Sequence, residues 1–407
     1  LEDQADRPVA LALSGGGDSL ALLVMTADWA RRRGRSILAL TVDHGLNPDS
    51  RDWTRRAGEQ AGALGADWRG LAWTGPKPAT GLPAAARQAR HALIADAARE
   101  AGARVILLAH TREDAAEADW MRAQGTPIGR LRHAAPSPAW PEGRGLVLLR
   151  PLLEERRAHL RDLLQARALD WLEDPANFDA RFARPRARAA LEGDAAPPVK
   201  ACALAWTPPD QPQAAAGVLT LPRTAPLAAF AAAVACVAGA QTAPRGRVLE
   251  RLRQRLAEPV DAVATLSGAR LELVGAQVRI MRQMRGRDPL ALAPAPLCSG
   301  APHVWDGRFE IESEEPGLRV APALGRLARL SSADRAWLFH LPIQARSAFP
   351  VLLADDDAPV LAFRRARMRG LVGSRFGLWA RSVGGETPHE AELAQAVHGA
   401  KPWNHLF

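Results

Sequence analysis

The sequence predicts an α/β fold: a doubly wound parallel sheet, then a helical linker region and a small mixed or β-rich C-terminal domain. Three observations predict it. Residues 8–110 alternate short apolar runs with helix-period segments, a glycine-rich junction at 14–19 joins the first run to the first helix, and a stretch rich in Pro and Ala opens near residue 193. Taken in order, 9–13, 37–43 and 104–109 read as strands, with helices near 19–33, 50–64 and 83–101 and a fourth candidate strand at 67–73. Gly34 and Gly102 fall where helix C-caps are expected, and Pro83 sits in a first helical turn. The apolar run 146–153, a helix near 154–168 and the polar stretch 171–179 leading into 181–188 close a first domain at 1–192. A linker and helical arginine-rich domain is expected at 193–300, and a small mixed or β-rich C-terminal domain at 301–407, where runs such as 308–311 and 359–363 alternate between breaks at Gly and Pro.

At 407 residues the chain is too long for one ordinary core. Only Lys77, Lys200 and Lys401 interrupt an otherwise all-arginine set of 53 basic residues, and the net charge is +9. Such a bias fits a GC-rich genome as well as a polyanionic partner, so charge alone is only suggestive. Residues 243–287 hold ten Arg against four acids, a pattern open to both an RNA-contacting surface and solvated helix faces. Cys202, Cys236 and Cys298 form no metal-ligand or Cys-x-x-Cys spacing, which points to a reducing compartment. The longest apolar run, 227–240, is too short and too alanine-rich to span a bilayer. No signal peptide is read ahead of the first strand, so a cytoplasmic protein with no membrane partner is expected.

Ser14-Gly-Gly-Gly-Asp-Ser19 is the most informative junction. Gly15, Gly16 and Gly17 remove every Cβ from the turn, so backbone N–H groups can converge on an anion, while Asp18 and Ser19 open a helix whose positive dipole end faces it. Glycine needed only for a tight turn is the bland alternative. No Walker lysine follows, and the dinucleotide fingerprint does not fit. In a parallel sheet, ligands bind beyond the carboxyl ends of the strands, where Ser14 to Ser19, Asp43-His44 and the stretch from His110 all fall.

The helix after His110 carries carboxylates at 113, 114, 117 and 119, and Asp114 and Glu117 share one face. Carboxylates at a helix start often only complement the dipole. Beside a phosphate loop, the same pair suits a substrate ammonium, a metal or a proton. Asp18 beside a triphosphate calls for a compensating cation, and a magnesium–nucleotide complex is the expected ligand. Arg87 and Arg90 lie on one helix face, and Arg184, Arg186 and Arg188 form a second basic group, each set suited to phosphates or to solvent.

Together these residues resemble the tRNA(Ile)-lysidine synthetase family of the PP-loop ATP pyrophosphatase superfamily. The resemblance runs through Ser14-Gly-Gly-Gly-Asp-Ser19, Val42-Asp-His-Gly-Leu46, Ala86-Arg-Gln-Ala-Arg-His91, Leu108-Ala-His with Asp114-Ala-Ala-Glu117, Arg150-Pro-Leu-Leu153, and Glu173-Asp-Pro-Ala-Asn-Phe-Asp179 with Arg184 and Arg188. It covers roughly residues 8–190, with weaker likeness at Trp305-Asp-Gly-Arg-Phe309 and Gly317-Leu-Arg-Val-Ala-Pro322. The chain departs from the family pattern at Thr111, Ala115 and Pro185, and at His91, where Tyr is common.

The resemblance implies ATP-dependent attachment of L-lysine to the wobble cytidine of an isoleucine tRNA with a CAU anticodon. The cytosine carbonyl oxygen attacks the α-phosphate, pyrophosphate leaves, and the lysine ε-amine displaces AMP. It further implies that Ser14, Gly15, Gly16, Gly17, Asp18 and Ser19 hold ATP, with Asp43 and His44 at the nucleotide edge. Asp114 and Glu117 go to lysine, and Arg87, Arg184 and Arg188 to phosphates or tRNA. Asp18, Asp114 and Glu117 are the expected catalytic set, Asp18 the possible magnesium ligand, and a homodimer a possible assembly. A sulfur-inserting relative is the nearest competing reading, but none of the three Cys lies in the first 200 residues. A small-molecule ligase on the same fold and a nucleotide-binding regulator without turnover complete the alternatives.

Overall fold

Four apolar segments, β1 (Val9–Ala12), β2 (Ile37–Asp43), β4 (Val105–Leu107) and β6 (Val147–Leu149), are buried along most of their length. Continuous rather than alternating burial marks strands covered on both faces. With β3 (Asp67–Ala72) and β5 (Ala134–Pro136) they form a sheet of order β3-β2-β1-β4-β6-β5. All its pairings are parallel except β5 with β6. The computed structural model describes residues 1–2, 5–126, 128–173, 183–191, 206–284, 293–354, 358–383, 389–391 and 393. The linker calls at 192–205 lie outside them, as does 174–182 of the polar stretch.

The helices α1 (Gly17–Arg33), α2 (Ser50–Ala63) and α3 (Leu82–Glu100) connect these strands within one or two residues of the expected bounds. Gly34 ends α1 in the left-handed region at φ 62°, and Gly102 takes φ 77° just beyond α3. Ile94, Ala95 and Ala98 of α3 pack on Ala10, Leu38, Leu40, Ile106 and Leu148. Because right-handed crossovers from β1 to β2 and from β3 to β4 run in opposite directions, α1 and α3 lie on opposite faces. The strand order therefore reverses between β1 and β4, which opens a crevice at their carboxyl ends. The helix α4 (Arg112–Ala123) leaves β4 at that crevice, and α5 (Arg157–Ala166) follows β6 and packs on α1. The short α6 (Ala183–Ala190) packs on α4.

The chain divides into two compact units, Leu1–Leu204 with Gly385–Ala394, and Ala205–Gly384 with Gln395–Phe407. In the first unit, Arg35 makes a bidentate ion pair with Glu390, at 3.1 and 3.0 Å, with both side chains almost fully buried.

The second unit has two apolar cores. One lies between helices and the antiparallel sheet β7-β10-β9-β8. Its elements are β7 (Val218–Pro222), α7 (Leu227–Ala238), α8 (Arg247–Ala257), β8 (Ala262–Leu266), β9 (Ala269–Val274) and β10 (Gln277–Arg282). The sequence reading anticipated helices and arginines here and missed this sheet. Its strands alternate, with Leu271, Leu273, Val278 and Ile280 inward and Arg270, Glu272 and Arg279 outward, so the charge count hid a period of two. Ser267 and Gly268, both at positive φ, make the β8–β9 turn.

The other core underlies two small sheets, of order β11-β14-β15-β16 and β12-β13-β17. They comprise β11 (Ala295–Pro296), β12 (His303–Trp305), β13 (Phe309–Glu312), β14 (Arg319–Pro322), β15 (Pro350–Leu353), β16 (Val360–Leu361) and β17 (Arg367–Gly370). The Trp305 to Phe309 motif is the β12–β13 hairpin: Asp306 and Gly307 turn at positive φ, and buried Arg308 donates to Asp306 (2.8 Å) and to the Ala348 carbonyl (2.7 Å).

Candidate active site

The loop from Ser14 to Ser19 lies at the carboxyl end of β1 and is braced by its own hydroxyls. The Ser14 N–H donates to Ser19 Oγ (3.2 Å), the two hydroxyl oxygens lie 3.0 Å apart, and Ser19 Oγ donates to the Gly16 carbonyl (2.8 Å). Gly15 adopts φ 81°, and a Cβ there would meet Leu172 Cδ1 at 2.6 Å, while Leu172 N–H donates to the Gly15 carbonyl (3.0 Å). Geometry thus demands glycine at 15 whatever the ligand. No side chain caps the α1 N-terminus at Gly16, so the first-turn N–H groups of α1 have no intrahelical acceptor.

Three carboxylates meet at one guanidinium beside this loop. Arg157 Nε donates to Asp18 Oδ2 (3.0 Å), Arg157 Nη2 lies 3.5 Å from Asp114 Oδ2, and Arg157 Nη1 lies 3.8 Å from Glu117 Oε1. Asp18 comes from α1 and the other two from α4, so the sheet's switch point brings them together. Asp114 is also the N-terminal brace of α4: its Oδ2 accepts from the Thr111 N–H (2.9 Å) and the Thr111 hydroxyl (3.0 Å). Thr111, a departure from the family pattern, is fully buried in this role. Glu117, 2 % exposed, accepts from Arg188 Nε (3.0 Å) on Oε1, while its buried Oε2 has no hydrogen-bond partner among the described residues.

Burial raises the pKa of Asp18 against the pull of Arg157, and Asp114 raises it further. Burial also raises Glu117, reinforced by the Asp114 charge. At Asp114 burial acts upward too, but Arg157 and the Thr111 N–H outweigh it and hold the carboxyl below its ordinary value. A pair driven apart in this way can hold one charge firmly and exchange a proton at the other.

A second group is cationic. It comprises Arg87 and Arg90 on α3, Arg150 after β6 and Arg184 on α6: burial lowers the pKa of Arg87 and brings Arg90 and Arg150 down to about 10, with the Arg184 charge adding to the effect at Arg87 and Arg90 and the Arg87 charge at Arg90 and Arg150. Among the described residues Arg87, Arg90 and Arg184 have no ion pair with a carboxylate. Neutral histidines fill the spaces: burial puts both His91 and His110 at about 3, and His110 Nδ1 accepts from Arg150 Nε (3.2 Å). Half-buried arginines that repel one another make a receptor for an anion.

Asp43 and His44 stand at the end of β2. Asp43 Oδ1 accepts from the Gly45 N–H (2.7 Å), and His44 meets the Trp73 ring edge-on at 6.1 Å. Burial, with Arg90 and Lys77, keeps His44 below its usual pKa.

Sequence reasoning missed Arg157 and Arg161, which are one helical turn apart on α5. Arg161 lies over Gly17 and stacks on Trp171 at 4.5 Å, with Nη1 buried and without a hydrogen-bond partner among the described residues. Their only sequence signal is the i, i+4 spacing, shared with many surface arginines. The Thr111-x-x-Asp114 spacing, by contrast, is a readable capping signature.

Residues 1–193 match the family model described as PP-loop domain. The tRNA(Ile)-lysidine synthase of Caulobacter vibrioides is 47 % identical over 92 % of this chain and 93 % of its own length. The chain belongs to the tRNA(Ile)-lysidine synthase family. A Rhizobium meliloti member is 32 % identical over 88 % of this chain and 85 % of its own. A Hyphomonas neptunium member is 42 % identical over 46 % of this chain and 51 % of its own length. Similarity to the lysidine synthase of Caulobacter vibrioides therefore extends well beyond the PP-loop domain.

Proposed function

We propose that the chain catalyses the ATP-dependent ligation of L-lysine to the wobble cytidine of the CAU-anticodon isoleucine tRNA. The convergence of Asp18, Asp114 and Glu117 on Arg157 carries this reading. A nucleotide loop and an amine-binding carboxylate pair then lie within one side chain's reach, as activation followed by aminolysis requires.

ATP binds with its departing pyrophosphate at the N–H groups of residues 15–19, where charge develops as the cytosine oxygen attacks the α-phosphate. Arg161, over Gly17, adds a positive charge. Asp114 and Glu117 hold the lysine ammonium; Glu117, with its raised pKa, takes the proton as the amine attacks and AMP leaves. Asp43 and His44 line the nucleotide edge. Mg²⁺ fits Asp18, whose buried Oδ1 has no hydrogen-bond partner among the described residues. Among the described residues no cluster of three His, Cys, Asp or Glu could hold a metal by itself, which suits a cation that phosphates help to bind. When bound, Mg²⁺ neutralises phosphate charge.

Arg87 and Arg184, with Arg90 and Arg150 behind them, receive RNA or nucleotide phosphate; Arg188 orients Glu117. In the second unit Arg247, Arg251 and Arg255 form an exposed stripe at i, i+4 and i+8 on α8, suited to an RNA backbone. Neighbouring Arg253 and Arg270 are instead held by Glu250 and Glu272. In this reading, residues 1–192 are catalytic, 193–300 form the arginine-rich domain and 301–407 the small tRNA-binding domain. A cytoplasmic homodimer is the proposed state, checked by sedimentation at assay concentration. No helix among the described residues is long and apolar enough to cross a membrane.

ATP–pyrophosphate exchange separates this function from a regulator. Exchange that requires the CAU-anticodon isoleucine transcript is expected; absence of exchange with that RNA contradicts the reading.

A further inference from the structure

The two carboxylates assigned to lysine already face a cation. Arg157 approaches Asp114 and Glu117 at 3.5 and 3.8 Å, too far for hydrogen bonds, and donates one true hydrogen bond, to Asp18, at 3.0 Å. Its backbone is pinned separately, the Arg157 N–H donating to Glu113 Oε2 (3.1 Å). The guanidinium can therefore leave Asp114 and Glu117 without losing its hydrogen bond or its anchor.

We infer that Arg157 is a positioning residue that stands in for the substrate ammonium, holding Asp114 and Glu117 until lysine arrives and retracting onto Asp18 when it does. Two observations favour exchange over a fixed ion-pair network. The buried Glu117 Oε2 has no hydrogen-bond partner among the described residues, so an acceptor is open that neither Arg157 nor Arg188 fills. Asp114 keeps its orientation through Thr111, so removing the guanidinium does not release that carboxylate. An ammonium with three donors can use the open acceptor and the freed charges together. A neutral amine analogue offers no charge to replace Arg157, so the device selects for a protonated side chain before chemistry begins.

The inference rests on the lysine assignment above, and calorimetry of L-lysine binding to the full chain tests the two separately. Glu117→Gln is expected to weaken lysine binding; unchanged affinity there overturns the assignment itself. Arg157→Gln removes the stand-in and is expected to bind lysine about fivefold more tightly, and Arg157→Lys about twofold, as fits partial ion pairs of modest strength. Added methylguanidinium is expected to compete with lysine in Arg157→Gln and return its affinity toward wild type. In whichever Arg157 variant folds, lysine binding equal to or weaker than wild type, alongside weakened binding in Glu117→Gln, overturns the stand-in role.

Discussion

Arg161 lies so closely over Gly17 that a Cβ on that glycine would sit 1.5 Å from Arg161 Nη1. The obstructing atom is the far end of a flexible side chain, so Gly17→Ala is expected to displace Arg161 rather than unfold the domain. Apparent ATP affinity should fall about tenfold, as for one lost charge-assisted contact, with little change in melting temperature. Gly15→Ala differs: at φ 81°, against Leu172, it is expected to cost about 1–3 kcal/mol of stability. Nucleotide titration and thermal melting of both variants distinguish a ligand contact from a backbone requirement.

Thr111→Ala removes the hydroxyl that helps hold Asp114. Loss of a buried cap interaction predicts about 1–2 kcal/mol of destabilisation in urea, with a raised KM for lysine and recovery of both in Thr111→Ser. A lysine KM unchanged in a destabilised Thr111→Ala protein would separate the cap from the carboxylate's orientation.

Replacing Arg247, Arg251 and Arg255 together by Gln tests the α8 stripe. If each meets an RNA phosphate, the dependence of log affinity on log salt should flatten by about two to three units. Turnover at saturating tRNA should stay near wild type. An unchanged salt slope assigns the stripe to solvent.

Stability in acid is expected to depend on His91. Burial, followed by the Arg87 and Arg90 charges, lowers its pKa from 6.5 to about 3, so below pH 6.5 the unfolded chain binds a proton that the folded chain refuses. Stability therefore falls as pH drops from about 6.5 toward 3, at up to about 1.4 kcal/mol per pH unit from this one group. His91 Nε2 has no hydrogen-bond partner among the described residues, and His91→Phe should fold and lose that part of the slope in urea titrations across the window. Parallel slopes in the two proteins contradict the cause.

The fold was legible where burial leaves a pattern. β1, β2 and β4 are covered on both faces and read as unbroken apolar runs, and Gly34 and Gly102 mark helix ends by their backbone needs. The sheet β7-β10-β9-β8 was not, because Arg270, Arg279 and Arg282 occupy its outward or edge positions and drew attention to charge instead of alternation. Asp18, Asp114 and Glu117 were readable as residue types beside strand ends. Arg157 was not: its hydrogen bond to Asp18 spans 139 residues, and nothing local separates it from Arg156. The basic cluster of Arg87, Arg90, Arg150 and Arg184 likewise exists only once three segments meet. Residues 174–182, which carried part of the family resemblance, lie outside the described residues.

The central claim is that one crevice activates an RNA base with ATP and then delivers lysine to it. Incubation of the protein with ATP, radiolabelled L-lysine and an in vitro transcript of the CAU-anticodon isoleucine tRNA tests this most directly. The account predicts label in the RNA at the wobble cytidine, with one pyrophosphate and one AMP released per lysine attached, and loss of label with Glu117→Gln. Label remaining entirely in the free amino acid, with folded protein and intact transcript, would contradict it.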